Sequence, residues 1–542
     1  MRHLLSSAFS HGHLRLVLVV FGLGTLLGAT LVFYLFTNWS GFHADTDEQQ
    51  LVQLAVKFDQ QKALEDRIHT LCTACHVFPP PASFPRAAWY KEVKQGFEFA
   101  SARGMDLAHA PSFQEVLDYF EQRATDRLPR PFLKPATPSS SVHFETTAFG
   151  RSDFPPEPWV SHVRYARLSP PHEQVITVCD MRNGVVMMLN LKDPDRGLQV
   201  VARVPNPAHA EPVDLDQDGY MDLLVADLGS LWPDDHTQAQ VVWLRRDPHS
   251  ENYEPIVLAQ GLPRVADAQA ADFDGDGDLD IVVAAFGWRA VGEILYLENV
   301  TTDWAHPQFR VKTLERKTGA IHVPIADLNG DGKPDFVALI SQEHEQIVAF
   351  LNDGHGNFHQ ELIFAAADPA YGSTGIQLVD FDQDGDLDVL YTNGDSLDSG
   401  MINPYHGIQW LENEGKFPFR YHHLATMPGA HRALAGDVDG DGDLDVVAVS
   451  FLPKVDPLLR DPELRELPAL LWLENQGGGK FVYLPLEIAT CDHATLDLAD
   501  IDGDGRLDLI VGNFSAKSPR GEPTLAPMKN WLTLWKNQLR RP

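Results

Sequence analysis

The hydrophobic pattern changes character three times along the chain. Residues 16–36 (LVLVVFGLGTLLGATLVFYLF) form an apolar run of 21 residues without a charge. As a helix rising about 1.5 Å per residue, such a run crosses a hydrocarbon core about 30 Å thick. From residue 48 to 72 the apolar positions recur with helical period, placing Leu51, Leu54, Ala55 and Phe58 on one face. Pro79, Pro80 and Pro81 interrupt the chain. Residues 87–99 and 112–123 then predict two further helices, the second opened by Ser112 as N-cap with Glu115 three positions on. Residues 128–141 hold four prolines and three serines with no apolar period, and predict a semi-extended linker. Beyond residue 142 the apolar runs shorten to strand length, as in 281–285 (IVVAA), 294–297 (ILYL) and 309–314 (FRVKTL).

The apolar run is longer than a cleaved signal core, and the residues after it, Thr37, Asn38, Trp39 and Ser40, offer no small-residue cleavage pattern. Arg2 and Arg15 precede it, whereas Asp45, Asp47 and Glu48 follow. The positive-inside bias therefore predicts residues 1–15 in the cytoplasm and 16–36 as a transmembrane signal anchor. The remainder would lie outside, as a single-pass protein of a bacterial inner membrane with its domains in the periplasm or beyond. Composition adds one exclusion: 43 Lys and Arg against 76 Asp and Glu give a formal charge of -33. So acidic a surface repels phosphate, which argues against a nucleic-acid partner. With four cysteines in 542 residues, the chain is not a disulfide scaffold.

Cys72-Thr73-Ala74-Cys75-His76 reads C-x-x-C-H, in which two thiols can add to haem vinyl groups while the adjacent His reaches the iron. Zinc would need two more ligands, and no second cysteine pair lies nearby. A thioredoxin-type site would want a surrounding βαβ pattern, which is absent. With its helical flanks, the segment 45–127 resembles a class I c-type cytochrome. That resemblance implies one covalent haem c on Cys72 and Cys75, His76 as proximal ligand, and a Met before the last helix as the distal one. Met105 is the Met so placed, with His109 as its rival.

The rest of the chain repeats D-x-[DN]-x-D-G-x-x-D six times. The acidic positions are Asp214, Asp216, Asp218 and Asp222, then Asp272, Asp274, Asp276 and Asp280, then Asp327, Asn329, Asp331 and Asp335. They continue with Asp380, Asp382, Asp384 and Asp388, with Asp437, Asp439, Asp441 and Asp445, and with Asp500, Asp502, Asp504 and Asp508. Oxygen donors at positions one, three and five, Gly at six for the sharp turn, and a closing Asp at nine form the front half of an EF-hand calcium loop. Strand patterns flank each loop, not helices. These units resemble FG-GAP or VCBS-type repeats, the calcium-loop blades of integrin-like β-propellers, over residues 142–537. The resemblance implies about six Ca²⁺ ions in a structural role. An earlier unit over 162–204 keeps the strands and lacks the carboxylates, so one plus six gives seven blades. The last repeat lacks an outer strand, and 142–149 (VHFETTAF) alternates like one, so it is assigned there.

The predicted fold is therefore mainly β: a seven-bladed β-propeller preceded by a transmembrane helix and a small α-helical cytochrome c-like domain. Long loops at 229–240, 393–407, 450–469 and 513–529 should share the face opposite the acidic loops. His209, His322, His431 and His493, five to seven residues before their first motif Asp, should lie near one rim of the channel. They line a wet channel mouth, or they form a site for a metal, an anionic ligand or haem docking. Cys179 and Cys491 are either a disulfide between neighbouring blades or two buried thiols. No G-x-S-x-G, H-E-x-x-H or isolated carboxylate pair names a reaction, so whether the chain is an enzyme stays open. The function expected is membrane-anchored extracytoplasmic electron transfer, with the propeller binding a redox partner protein or small molecule. The alternative is a propeller enzyme, an oxidoreductase or one acting on carbohydrate, that passes electrons to its own haem.

Overall fold

The structure, a computed structural model, describes residues 44–134, 143–155, 157–168, 173–250, 252–397, 399–452, 466–488, 491–515 and 530–538. The expected anchor at 16–36, the residues before it, 135–141 of the linker and Val142 of the expected 142–149 strand fall outside the described residues. Among the described residues no helix is long and apolar enough to cross a membrane. The chain divides into two compact units after Arg67. Helix α1 (Ala44–Cys72) begins in the first of them. Its expected apolar face is uncovered: Leu54 is 62% and Phe58 68% exposed.

The second unit opens with two short helices, α2 (Trp89–Ala102) and α3 (Phe113–Arg123). Helix α2 starts later than the pattern suggested because Arg86–Ala88 form a 3-10 turn first. The predicted capping box closes α3: Glu115 N–H donates to Ser112 Oγ, and Ser112 N–H donates to Glu115 Oε2 at 2.7 Å. No separate cytochrome-like domain is evident. From Ile68 onward the helical segment shares one compact unit with the propeller. Side-chain bonds latch it there: Ser83 Oγ donates to Asp368 Oδ2 at 2.6 Å, and Tyr405 OH donates to the same oxygen at 3.0 Å.

Seven antiparallel sheets follow, each with the four-strand path of a propeller blade. We number the blades by chain order: 160–203, 207–262, 265–315, 320–365, 373–426, 430–488 and 493–537. Each acidic loop joins the innermost strand of its blade to the second. The second strands of blades 2 to 7, such as Asp280–Ala285 (DIVVAA), are buried throughout, because both faces meet a neighbouring blade, and so they read as continuous apolar runs. Apolar clusters fill the space between successive blades, for example Val283 and Leu295 with Leu224 and Val241, or Ala433 and Val446 with Leu390 and Ile408. The innermost strand of blade 4 is split at Val323 and Pro324 into Ala320–His322 and Ile325–Ala326.

The ring closes as the alternation of 142–149 suggested. Phe144–Gly150 pairs antiparallel with Asn530–Asn537, from Phe144 opposite Asn537 to Gly150 opposite Asn530. Trp531 is fully buried at the seam between blades 7 and 1, and its Nε1 donates to Asp180 Oδ2 at 2.6 Å. Cys179 and Cys491 are both buried and are not joined to each other, so of the two readings the thiols stand and the disulfide does not.

Candidate functional site

Three places gather the chemistry-bearing residues. The first is a cavity of about 390 Å³ between the helical segment and the propeller loops. Cys72, Cys75, His76 and Met105 all line it, with Phe84, Trp89, Phe97 and Phe120. Its apolar wall is built by ring packing: Trp89 stacks on Phe120 at 4.0 Å, and Phe78 stacks on the other side at 5.6 Å. His76 Nδ1 donates to the Val77 carbonyl at 2.6 Å, which leaves Nε2 with its lone pair. Burial pushes the Cys72 thiol up to about 11. Met105 lines the cavity; His109 does not, its side chain being 90% exposed and paired with Asp106. Arg103 and Arg289 stand at the margin, Arg103 bonded to Glu343 at 3.0 Å and Arg289 over the Phe99 ring at 4.5 Å.

The propeller wall of this cavity contains Glu345, buried and in a left-handed conformation at φ 46°. It accepts from Gly372 N–H and Ser373 N–H, both at 3.0 Å, and from the Ser373 hydroxyl. Burial outweighs these donors and pushes its carboxyl up to about 8. The folded state thus keeps a proton that the unfolded chain releases near 4.3. The associated stability is complete below that value and is lost as pH rises through about 8, at no more than about 1.4 kcal/mol per pH unit. In calcium-saturated buffer, denaturant midpoints should fall from pH 5.5 to 8, and Glu345→Gln should flatten the slope. Equal slopes for both proteins would refute this assignment.

The second place is the set of acidic loops. In those beginning at Asp214, Asp272, Asp380 and Asp437, the carboxylates at positions one, three and five bring ligand-type oxygens within 4.8 Å of one another. Asp278 Oδ1, Asp380 Oδ1 and Asp443 Oδ1 are buried with no hydrogen-bond partner. Burial first and the neighbouring acids second push Asp278 and Asp443 up to about 6. A divalent cation would relieve both features, so these residues fit calcium. Three loops differ: position seven is Lys333 in one, 3.2 Å from Asp331, and Arg506 in another, paired with Asp504, while in the Asp214 loop Arg245 lies 2.6 Å from Asp216. The ninth-position carboxylates carry a task the sequence reading did not assign. Asp280 Oδ2 accepts from Phe273 N–H and Tyr296 OH while Oδ1 accepts from Asn299 N–H. Asp222, Asp335, Asp388, Asp445 and Asp508 bind the equivalent backbone amides. They clamp the turn to the end of the third strand.

The third place is the channel. Each innermost strand has a register irregularity near its start, and the residue just after it is His162, His209, Asp267, His322, Gly375, Arg432 or Thr495 in blades 1 to 7. These are equivalent positions, one per blade. His209 Nδ1 lies 3.3 Å from Asp267 Oδ1, and His322 Nδ1 lies 3.7 Å from Asp267 Oδ2. His162 stacks on His209 at 3.8 Å. A cavity of about 330 Å³ adjoins them, with Arg164, Glu211, Gln269 and Arg432 in its wall. Burial alone would raise Asp267, but the His209 and His322 rings and the Val323 amide hold it well below the usual carboxylate range. His431 and His493 do not join this group. They sit one and two positions before the equivalent residue, so His431 bonds the Ala494 carbonyl at 3.0 Å and His493 lies 3.4 Å from Glu487. Asp267 was missed because only histidines were compared, although it precedes Asp272 by the same five residues that separate His209 from Asp214 and His322 from Asp327.

The FG-GAP-like repeat family matches residues 214–283 and 327–391. Cartilage acidic protein 1 of Mus musculus is 26% identical over 178 residues, which is 30% of this chain and 24% of that protein. The chain therefore spans about a quarter of the curated relative it matches. Among solved structures, an ancestral GH74 enzyme superposes with a TM-score of 0.48 at 8% identity, covering 70% of this chain and 48% of that one. The V. cholerae biofilm matrix protein Bap1 gives a TM-score of 0.37 at 12% identity, over 73% and 91% of the two chains. The chain thus carries FG-GAP-like repeats within a seven-bladed propeller.

Proposed function

We propose that the protein transfers electrons through one covalent haem c, and that its calcium-stiffened propeller binds the partner or ligand it serves. The observation that carries this reading is the convergence of Cys72, Cys75, His76 and Met105 on one largely aromatic cavity. Cys72 and Cys75 would hold the haem by thioether bonds, and His76 Nε2 and the Met105 sulfur would be the donors to its iron. The haem would supply reversible one-electron exchange. Around it, the Val77 carbonyl fixes the His76 tautomer, Trp89 and Phe120 exclude water, and Arg103 and Arg289 bring positive charge to the margin for acidic substituents. Attachment of this kind belongs outside the cytoplasm, in keeping with an anchor at residues 16–36 in a bacterial inner membrane. The acidic loops would bind Ca²⁺. A second reading, a propeller enzyme that delivers electrons to its own haem, is favoured by the polar channel cavity in the same unit.

Purified full-length protein should retain its haem through denaturing extraction, whereas Cys72→Ser/Cys75→Ser should lose it. Met105→Ala should keep the haem but lower its reduction potential, since thioether ligation raises it. A wild-type protein without covalent haem ends this reading. Reduction of the haem by a small substrate with no protein partner present would decide for the enzyme.

A further inference from the structure

We propose that His209, Asp267 and His322 bind one divalent transition-metal ion in the central channel of the propeller. The proposal is independent of the haem. The three residues come from equivalent positions of three successive blades, and one ligand atom from each falls within 4.8 Å of the others. The separations of 3.3 Å and 3.7 Å match the edges of a coordination shell whose bonds to nitrogen and oxygen are about 2.0–2.2 Å long. Two imidazoles and one carboxylate on one side of an ion, with other positions open, form a donor set that suits zinc or iron(II). Calcium prefers six to eight oxygens, so this site and the acidic loops select different metals.

The hydrogen bonds around His209 point the same way. Its Nε2 lies 3.1 Å from Glu211 Oε2 and its Nδ1 lies 3.3 Å from Asp267 Oδ1. A neutral imidazole has a single N–H. If Nε2 donates to Glu211, then Nδ1 and Asp267 face each other with lone pairs, and a cation between them removes the conflict. A carboxylate on the far nitrogen is also how metal-bound histidines are commonly oriented. Asp267 is held in place beforehand: Val323 N–H donates to Oδ2 at 3.0 Å and Gln269 Nε2 donates to Oδ1 at 3.1 Å. Arg164 lies 3.6 Å from Glu211. The adjoining cavity of about 330 Å³ has room for water or a small anion at the open positions.

The test is metal counting on the full-length protein, dialysed against Zn²⁺ in calcium-saturated buffer and measured by mass spectrometry. Wild type should retain one zinc per chain more than His322→Ala or His209→Ala, with calcium content unchanged. Glu211→Gln should still bind zinc, about 10- to 100-fold more weakly. Thermal melts identify any variant that fails to fold, and Glu211→Gln together with the more exposed His322→Ala decides if His209→Ala does. A wild type that retains no more zinc than a folded His322→Ala overturns the proposal and leaves the cluster as a set of contacts among protein side chains. Unchanged zinc affinity in Glu211→Gln counts against it as well.

Discussion

Chelation of calcium from the full-length protein is expected to lower its melting temperature by on the order of ten degrees. The largest share should come from the loops at Asp272, Asp380 and Asp437, where position seven is acidic and no Lys or Arg sits in the motif. An ion at 100 times its dissociation constant contributes about 2.7 kcal/mol, so three such loops contribute about 8 kcal/mol. That is comparable with the whole net stability of a typical domain, about 5–15 kcal/mol. The loops containing Lys333 and Arg506 already carry an internal cation, so Asp276→Ala should cost more calcium-dependent stability than Asp331→Ala. Scanning calorimetry with and without chelator measures this directly. Coincident melts would mean that the acidic turns are held by their hydrogen bonds alone.

Trp531→Ala is the single substitution expected to cost most, about 3–5 kcal/mol. The ring is fully buried at the seam where the last blade meets the first, packed with Val160, Ile176 and Met187. Truncation leaves a cavity there and removes the 2.6 Å bond to Asp180. Trp531→Phe should restore most of the packing but not that bond, and so cost about 1–3 kcal/mol. Chemical denaturation of the three calcium-loaded proteins gives the ranking. A Trp531→Ala protein as stable as wild type would show that closure does not depend on this contact.

Features written within a few neighbouring residues were legible in the sequence. The acidic turns and the capping box at Ser112 and Glu115 follow from local spacing, and the pairing of Phe144–Gly150 with the last blade follows from the strand that the last repeat lacks. What was not legible depends on where separate segments meet. Leu54 and Phe58 follow a helical period and yet are exposed, and period alone does not say what covers a helix. The helical segment was read as a domain of its own because the Pro-rich stretch looks like a boundary. The latch that joins it to the propeller, Ser83 to Asp368 to Tyr405, spans 285 residues between its first two members. The channel cluster was half legible. His209 and His322 stood out by residue type, but the register irregularities that align them with Asp267, and set His431 and His493 aside, are properties of the sheet.

The pairing of Phe144 with Asn537 places an early segment of the chain opposite one of its last. During synthesis the Cys72–His76 segment and the Phe144–Gly150 strand emerge long before their partners exist. The blades that wall the Cys72 cavity come next, and the outer edge of the last blade stays open until Asn530–Asn537 has been made. Ring closure therefore waits for the contact of greatest sequence separation among the described residues, the slowest to find. A chain released short of Asn530–Asn537 would leave the Phe144 strand without its partner and two blade faces at the seam uncovered, a species prone to pair with another copy of itself.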